Sequence, residues 1–166
     1  MSTALPDHVD AERLAVHGGV LSGIISPARA VRASELFRVP NPLVVELRFA
    51  RDALGKIVVE GSVRGTIVAV CQRCLEPVES EIVSEIIHEI APTNAVSDAP
   101  ASTGAAENAQ AFAVLALAED EFILACPMIP LHPEGACVTP DERLKNTAGS
   151  RNPFDVLAAL RQNSDT

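Results

Sequence analysis

Apolar and polar residues alternate with period two over residues 43–49. Leu43, Val45, Leu47 and Phe49 fall on one side, and Val44, Glu46 and Arg48 on the other. That period marks a strand with one buried face. Arg51-Asp52-Ala53-Leu54-Gly55-Lys56 carries turn chemistry, so a hairpin follows and a return strand starts at Ile57–Glu60. Gly61 and Gly65 interrupt the run in the manner of a bulge or bend before it continues through Val63–Val70. Residues 78–90 fit two templates. Ile82, Ile86 and Ile90 are spaced for a helix face, yet Ile82 to Ile90 also alternates with Glu79, Glu81, Glu85 and Glu89. β-Branched enrichment beside a strand tip favours a strand pairing back on Val63–Val70, with His88 at its surface or edge.

Helical signals are shorter. Asp10 to His17 predicts a helix with Asp10 as N-cap, ended by Gly18-Gly19 and followed by a strand over Val20–Ile25. Ser34 to Phe37 suits a helical turn stopped by Pro40 and Pro42. Ala111 to Ala125 reads as a longer helix with Val114, Ala118, Phe122 and Ala125 on one apolar face. Residues 128–151 read as polar and extended. Asn152 then caps a last helix with Pro153 at its first position and Phe154, Leu157 and Leu160 as its stripe. So short a helix is marginal alone and has to dock on the body or on a partner. Between residues 92 and 110 the periodicity vanishes into Ala, Ser, Thr, Asn and Pro, which predicts a flexible low-complexity loop. The expectation is a single α+β domain over residues 1–166, with an antiparallel sheet of about four to five strands and a few short helices.

Composition narrows the partners. With five Phe and neither Trp nor Tyr, the core is aliphatic, and the base-stacking platforms of single-strand binders are missing. No apolar run approaches the roughly 20 residues of a membrane span, and the acidic N-terminus does not resemble a signal peptide. Four cysteines in such a chain favour reduced thiols or a metal, and a cytoplasmic location. The net charge of −9 is lopsided: residues 1–75 hold nine basic against seven acidic side chains, and residues 76–166 hold four against fifteen. A basic stripe could come from the series Arg29, Arg32, Arg38, Arg48, Arg51, Arg64 and Arg73, although scattered solvated arginines are the commoner reading. The acidic half suits a basic protein partner.

The chemistry is concentrated in Cys71-Gln72-Arg73-Cys74-Leu75-Glu76-Pro77, at the end of a strand. Two thiols separated by two residues form either a metal clip or a redox couple. His132 and Cys137, in Pro130-Leu131-His132-Pro133-Glu134-Gly135-Ala136-Cys137, could complete a tetrahedral zinc site, across a wide separation and with a loose His-to-Cys spacing. Cys126 ends an apolar helix and reads as a small hydrophobe. A redox role is disfavoured, because Cys71 follows a strand and Pro77 blocks the helix whose N-terminus would activate a thiol. Glu119-Asp120-Glu121 reads as a solvated or partner-facing patch rather than a magnesium site. Phosphate loops, nucleophile elbows and zinc-protease motifs are missing, so no enzyme is expected.

The CQRCLEPV segment resembles the signature of the YceD family of bacterial and plastid proteins. Three further stretches resemble that family in order: Asp10-Ala11-Glu12-Arg13 leading to Leu21-Ser22-Gly23-Ile24-Ile25, Glu119 to Ala125 running into Pro127, Pro130, His132 and Cys137, and Asn152-Pro153-Phe154-Asp155-Val156-Leu157-Ala158-Ala159-Leu160. The resemblance implies a non-enzymatic factor supporting accumulation or processing of large-subunit (23S) ribosomal RNA. Its partners would be the precursor particle, ribosomal RNA or a basic ribosomal protein, and Arg64 and Arg73 would face the RNA or particle. A small zinc-binding interaction module without a ribosomal role is the alternative.

Overall fold

The computed structural model describes residues 3–90 and 111–137. The chain forms two compact units, one comprising residues 1–69 and 77–128 and the other residues 70–76 and 129–166.

The larger unit is built in the order α1 (Ala11–Val16), β1 (Val20–Ile25), α2 (Val31–Leu36), β2 (Leu43–Arg51), β3 (Ile57–Val70), β4 (Pro77–Ile90) and α3 (Val114–Ala125). The strands form one antiparallel sheet in the order β1-β2-β3-β4, within the expected α+β class. The period-two pattern fixes its faces: Leu43, Val45, Leu47 and Phe49 of β2 are buried, and the residues between them are exposed. Residues 78–90 follow the strand template, with Ile82, Ile86 and Ile90 in the core and Glu79, Glu81, Glu85 and Glu89 outward. His88 is half-buried, its ring 5.7 Å from that of Phe112. The β2–β3 turn is set by Asp52, whose Oδ1 accepts from Leu54 N–H at 2.9 Å and Lys56 N–H at 2.8 Å. Gly55 there takes φ 81°, a conformation that favours glycine.

Three expectations change. β3 carries no bulge against β2: the register runs without a slip from Val44↔Arg64 to Arg51↔Ile57. Gly61 and Gly65 instead lie on the buried face where neighbours press in. A Cβ at Gly65 would collide with the Leu43 side chain and sit 3.0 Å from the Phe122 ring. The helical turn expected at Ser34 begins earlier, at Val31, because its N-terminus is satisfied from elsewhere in the fold. Glu119 of α3 is 4% exposed, its carboxylate accepting from Ala33 N–H at 2.9 Å and lying 3.6 Å from the Arg32 guanidinium. One third of the presumed acidic surface is thus a buried cap.

On α3, Val114, Ala118 and Phe122 are buried as the pattern predicts, whereas Ala125 is exposed and Cys126 takes the inward place. The helix ends there, with Cys126 extended at ψ 139°. Burial pushes the Cys126 thiol up to about 11, which fits its reading as a small hydrophobe. Residues 111–113 precede the helix instead of belonging to it. Phe112 pairs with Val9 through hydrogen bonds of 2.9 and 3.0 Å and fills the core beside Phe49. No periodic pattern marks the residues before Asp10, yet Leu5 N–H donates to Ile24 O at 2.9 Å and Leu5 is fully buried. The flexible loop at 92–110 and the last helix at 152–160 lie outside the described residues. No helix among the described residues is long and apolar enough to cross a membrane.

Candidate metal centre

The smaller unit contains all four residues that the sequence nominates as ligands. Its first strand of chain is the connection Val70–Glu76 between β3 and β4. Cys71 N–H donates to Glu76 O at 2.9 Å and Leu75 N–H donates to Cys71 O at 2.9 Å, which folds the CxxC segment into a tight knuckle. Closing it demands φ 61° at Leu75, the single positive-φ non-glycine among the described residues. The left-handed region costs an ordinary L-residue roughly 1–2 kcal/mol.

The second piece, from Ile129 onward, is stitched to the knuckle by Gln72 N–H donating to Pro130 O at 3.0 Å. It then makes a turn over Pro133-Glu134-Gly135-Ala136, with Ala136 N–H donating to Pro133 O at 3.1 Å and Gly135 at φ 77°. Positive φ at the third residue alone is the type II pattern, which favours glycine there. The knuckle hydrogen bond and this turn bring His132 and Cys137 back over Cys71 and Cys74.

The ligand atoms of Cys71, Cys74, His132 and Cys137 all lie within 4.8 Å of one another. Cys71 and Cys74 are buried, and His132 and Cys137 are half-buried. The Cys74 Sγ to His132 Nδ1 distance is 3.4 Å. Ligands of one tetrahedral zinc ion, at about 2.3 Å for sulfur and 2.0–2.1 Å for nitrogen, stand roughly 3.6 Å apart. The donor set therefore fits the ion: three thiols and an imidazole, at nearly the right spacing, with no disulfide.

The electrostatics point the same way. Burial pushes the Cys71 thiol up, but the backbone N–H groups of Cys74, His132 and Arg73 and the His132 ring outweigh it and bring the thiol to about 5. For Cys74 the Glu76 N–H favours the thiolate, while burial and the neighbouring sulfurs of Cys71 and Cys137 dominate and raise it. One thiolate is thus stabilised by backbone dipoles, and the crowded sulfurs resist further ionisation until a cation joins them. These backbone donors leave no mark in the sequence. The Pro-x-Gly turn before Cys137 does, and it is the signal that could have nominated Cys137 on geometry.

The two arginines nominated for partner contact sit differently. Arg64 is exposed on β3, 4.0 Å from Glu46 Oε2, whereas Arg73 is half-buried in the knuckle. Three others of the arginine series are tied to carboxylates: Arg29 to Asp7 at 2.5 Å, Arg51 to Glu12 at 2.9 Å, and Arg32 to Asp120 and Glu119. These exposed pairs add little to stability, but they offset the arginines' charge, so these three do not make a free basic stripe.

Residues 59–161 match the family described as large ribosomal RNA subunit accumulation protein YceD. A relative of that name from Haemophilus influenzae is 30% identical over 139 residues, covering 78% of this chain and 80% of its own length. No solved structure matches the chain.

Proposed function

The chain belongs to the YceD family of large ribosomal RNA subunit accumulation proteins, and on that premise we propose that it is a non-enzymatic factor of large-subunit biogenesis. It promotes accumulation or processing of the large-subunit (23S) ribosomal RNA, in the cytoplasm, on a precursor particle. The family match over residues 59–161 is the observation that carries this reading, since it spans the sheet's second half and the whole cysteine–histidine cluster.

The cluster supports a structural role for Cys71, Cys74, His132 and Cys137 as holders of zinc. Four protein ligands close a tetrahedral site and leave no position for substrate, which argues against a hydrolytic centre. Zinc bound there would cross-link the knuckle to the loop that follows Ile129. The pairing of Arg29, Arg32 and Arg51 with carboxylates, together with a net charge of −9, favours a basic ribosomal protein over bare RNA as the principal contact. Arg64 and Arg73 remain the cations that would face RNA or the particle.

Pull-down of tagged chain from its own cells at low and moderate salt, with RNA sequencing and mass spectrometry, tests the reading. Large-subunit precursor RNA and early ribosomal proteins are expected, with protein surviving salt better than RNA. The cluster favours one second reading, a zinc-binding interaction module without a ribosomal role. Metal-loaded protein that brings down no ribosomal material would replace the first reading with that one.

A further inference from the structure

We propose that the outer edge of β4 is a docking site for an extended, basic segment of a protein partner, which adds to the sheet as a further strand. The inference rests on the reading of a basic protein partner given above and names the surface that takes it.

The two ends of the sheet differ. On β1, Ile24 N–H donates to Thr3 O and Leu5 N–H donates to Ile24 O, both at 2.9 Å, so residues near the N-terminus close that edge. β4 is the other terminal strand, 14 residues long, and among the described residues no strand or bridge lies on its outer side. Such an edge presents alternate backbone N–H and C=O groups to any extended chain that can lie along it.

Side chains decide which chain fits. Val78, Ile82, Ile86 and Ile90 point into the core, and the odd-numbered residues from Glu79 to Glu89 point outward. β4 holds four glutamates and no lysine or arginine, whereas β2 and β3 set Arg48, Arg51 and Arg64 against Glu46 and Glu60. Lys56 pairs with Glu89 at 2.8 Å, while Glu79, Glu81 and Glu85 have no cation partner among the described residues. Glutamates alone would make a solvated edge that repels other strands. Here Val83 and Ile87 stand between them, 61% and 74% exposed.

The outward stripe therefore runs Glu81, Val83, Glu85, Ile87, Glu89, with like residues about 13 Å apart. A strand laid beside it needs Lys or Arg opposite the glutamates and apolar residues opposite Val83 and Ile87. A second copy of β4 does not meet that need. Antiparallel pairing that sets Val83 against Ile87 would oppose Glu81 to Glu89 and Glu85 to its own copy, and like charges directly opposite destabilise a pair. The same charge repels an RNA backbone.

The test uses the full-length protein with Val83→p-benzoylphenylalanine, irradiated in its own cells and read by mass spectrometry of the cross-linked peptide. The expected product joins position 83 to a segment of another protein richer in Lys and Arg than in Asp and Glu. Its yield should fall at least fivefold when Glu81→Lys and Glu85→Lys are combined. In vitro, a fluorescent peptide of sequence KTVTKTVTK should bind the purified chain at low salt, and at least tenfold more weakly to that double variant. Glu35→Lys with Glu46→Lys changes net charge equally at exposed positions away from β4 and should leave binding within twofold. Protected β2 amides establish that each variant is folded. Equal weakening by both pairs overturns the proposal. So do cross-links to RNA, to a second copy or to the chain's own residues 92–110, and so does the absence of any cross-link. A basic segment from a protein outside the ribosome supports the docking site and removes the ribosomal reading. Ribosomal material brought down at full yield by the Glu81→Lys, Glu85→Lys chain does the reverse.

Discussion

The sheet unit and the cysteine–histidine unit are held by opposite means. In the first, β2, β3, β4 and α3 bury a continuous set of apolar side chains, among them Phe49, Ile67, Ile86 and Phe122, and cohesion comes from area removed from water. The second buries Cys71 and Cys74 and leaves Val70, Leu75, Ile129 and Leu131 exposed. Its order rests on a few backbone hydrogen bonds and on four ligand atoms clustered closely enough to hold a metal ion. Neighbouring stretches of one chain can therefore answer to different perturbations.

Metal removal should separate them most widely, since zinc binding in small domains carries about 10–16 kcal/mol of folding free energy. Chelation, or Cys74→Ser, is expected to abolish stoichiometric metal by elemental analysis. It should also raise hydrogen exchange at residues 71–76 and 129–137 while the amides of β2 keep their protection. Loss of protection in β2 to the same degree would merge the two units into one cooperative structure.

Phe122→Ala is the converse perturbation. The ring is fully buried against the Gly65 gap, and removing it should cost about 3–5 kcal/mol in urea unfolding of the sheet unit. Metal content per folded chain should stay unchanged. A smaller effect is expected for Glu119→Ala, which strands the Ala33 N–H that the carboxylate now caps. The cost should be about 1–3 kcal/mol, with faster exchange at Ala33 as the local sign.

Cys126 gives the subtlest contrast, because it is a thiol governed by the sheet unit. Burial raises it from 9.0 to about 11, so the folded protein holds its proton where the unfolded chain has lost it. Stability from this group is present in full below pH 9.0 and declines as pH rises through about 11. At pH 8 its alkylation should be roughly a hundredfold slower in the native protein than in urea. Labelling that accelerates on chelation instead would tie Cys126 to the metal centre.

Much of the fold was legible because period two and β-branched enrichment act locally. Alternation alone places β2, β4 needs β-branched enrichment beside the strand tip to decide between two templates, and Asp10 and Asp52 announce the cap and the turn they make. Sequence also nominated Cys71, Cys74, His132 and Cys137, since ligand chemistry is carried by residue type. It could not bring them together, because that depends on the Gln72–Pro130 hydrogen bond, made between backbone groups distant in sequence. The tertiary structure likewise decided that Glu119 would be a buried cap and that Gly65 would make room for a ring. In both cases the determining neighbour comes from another element, and a one-dimensional pattern holds no record of what packs across the core.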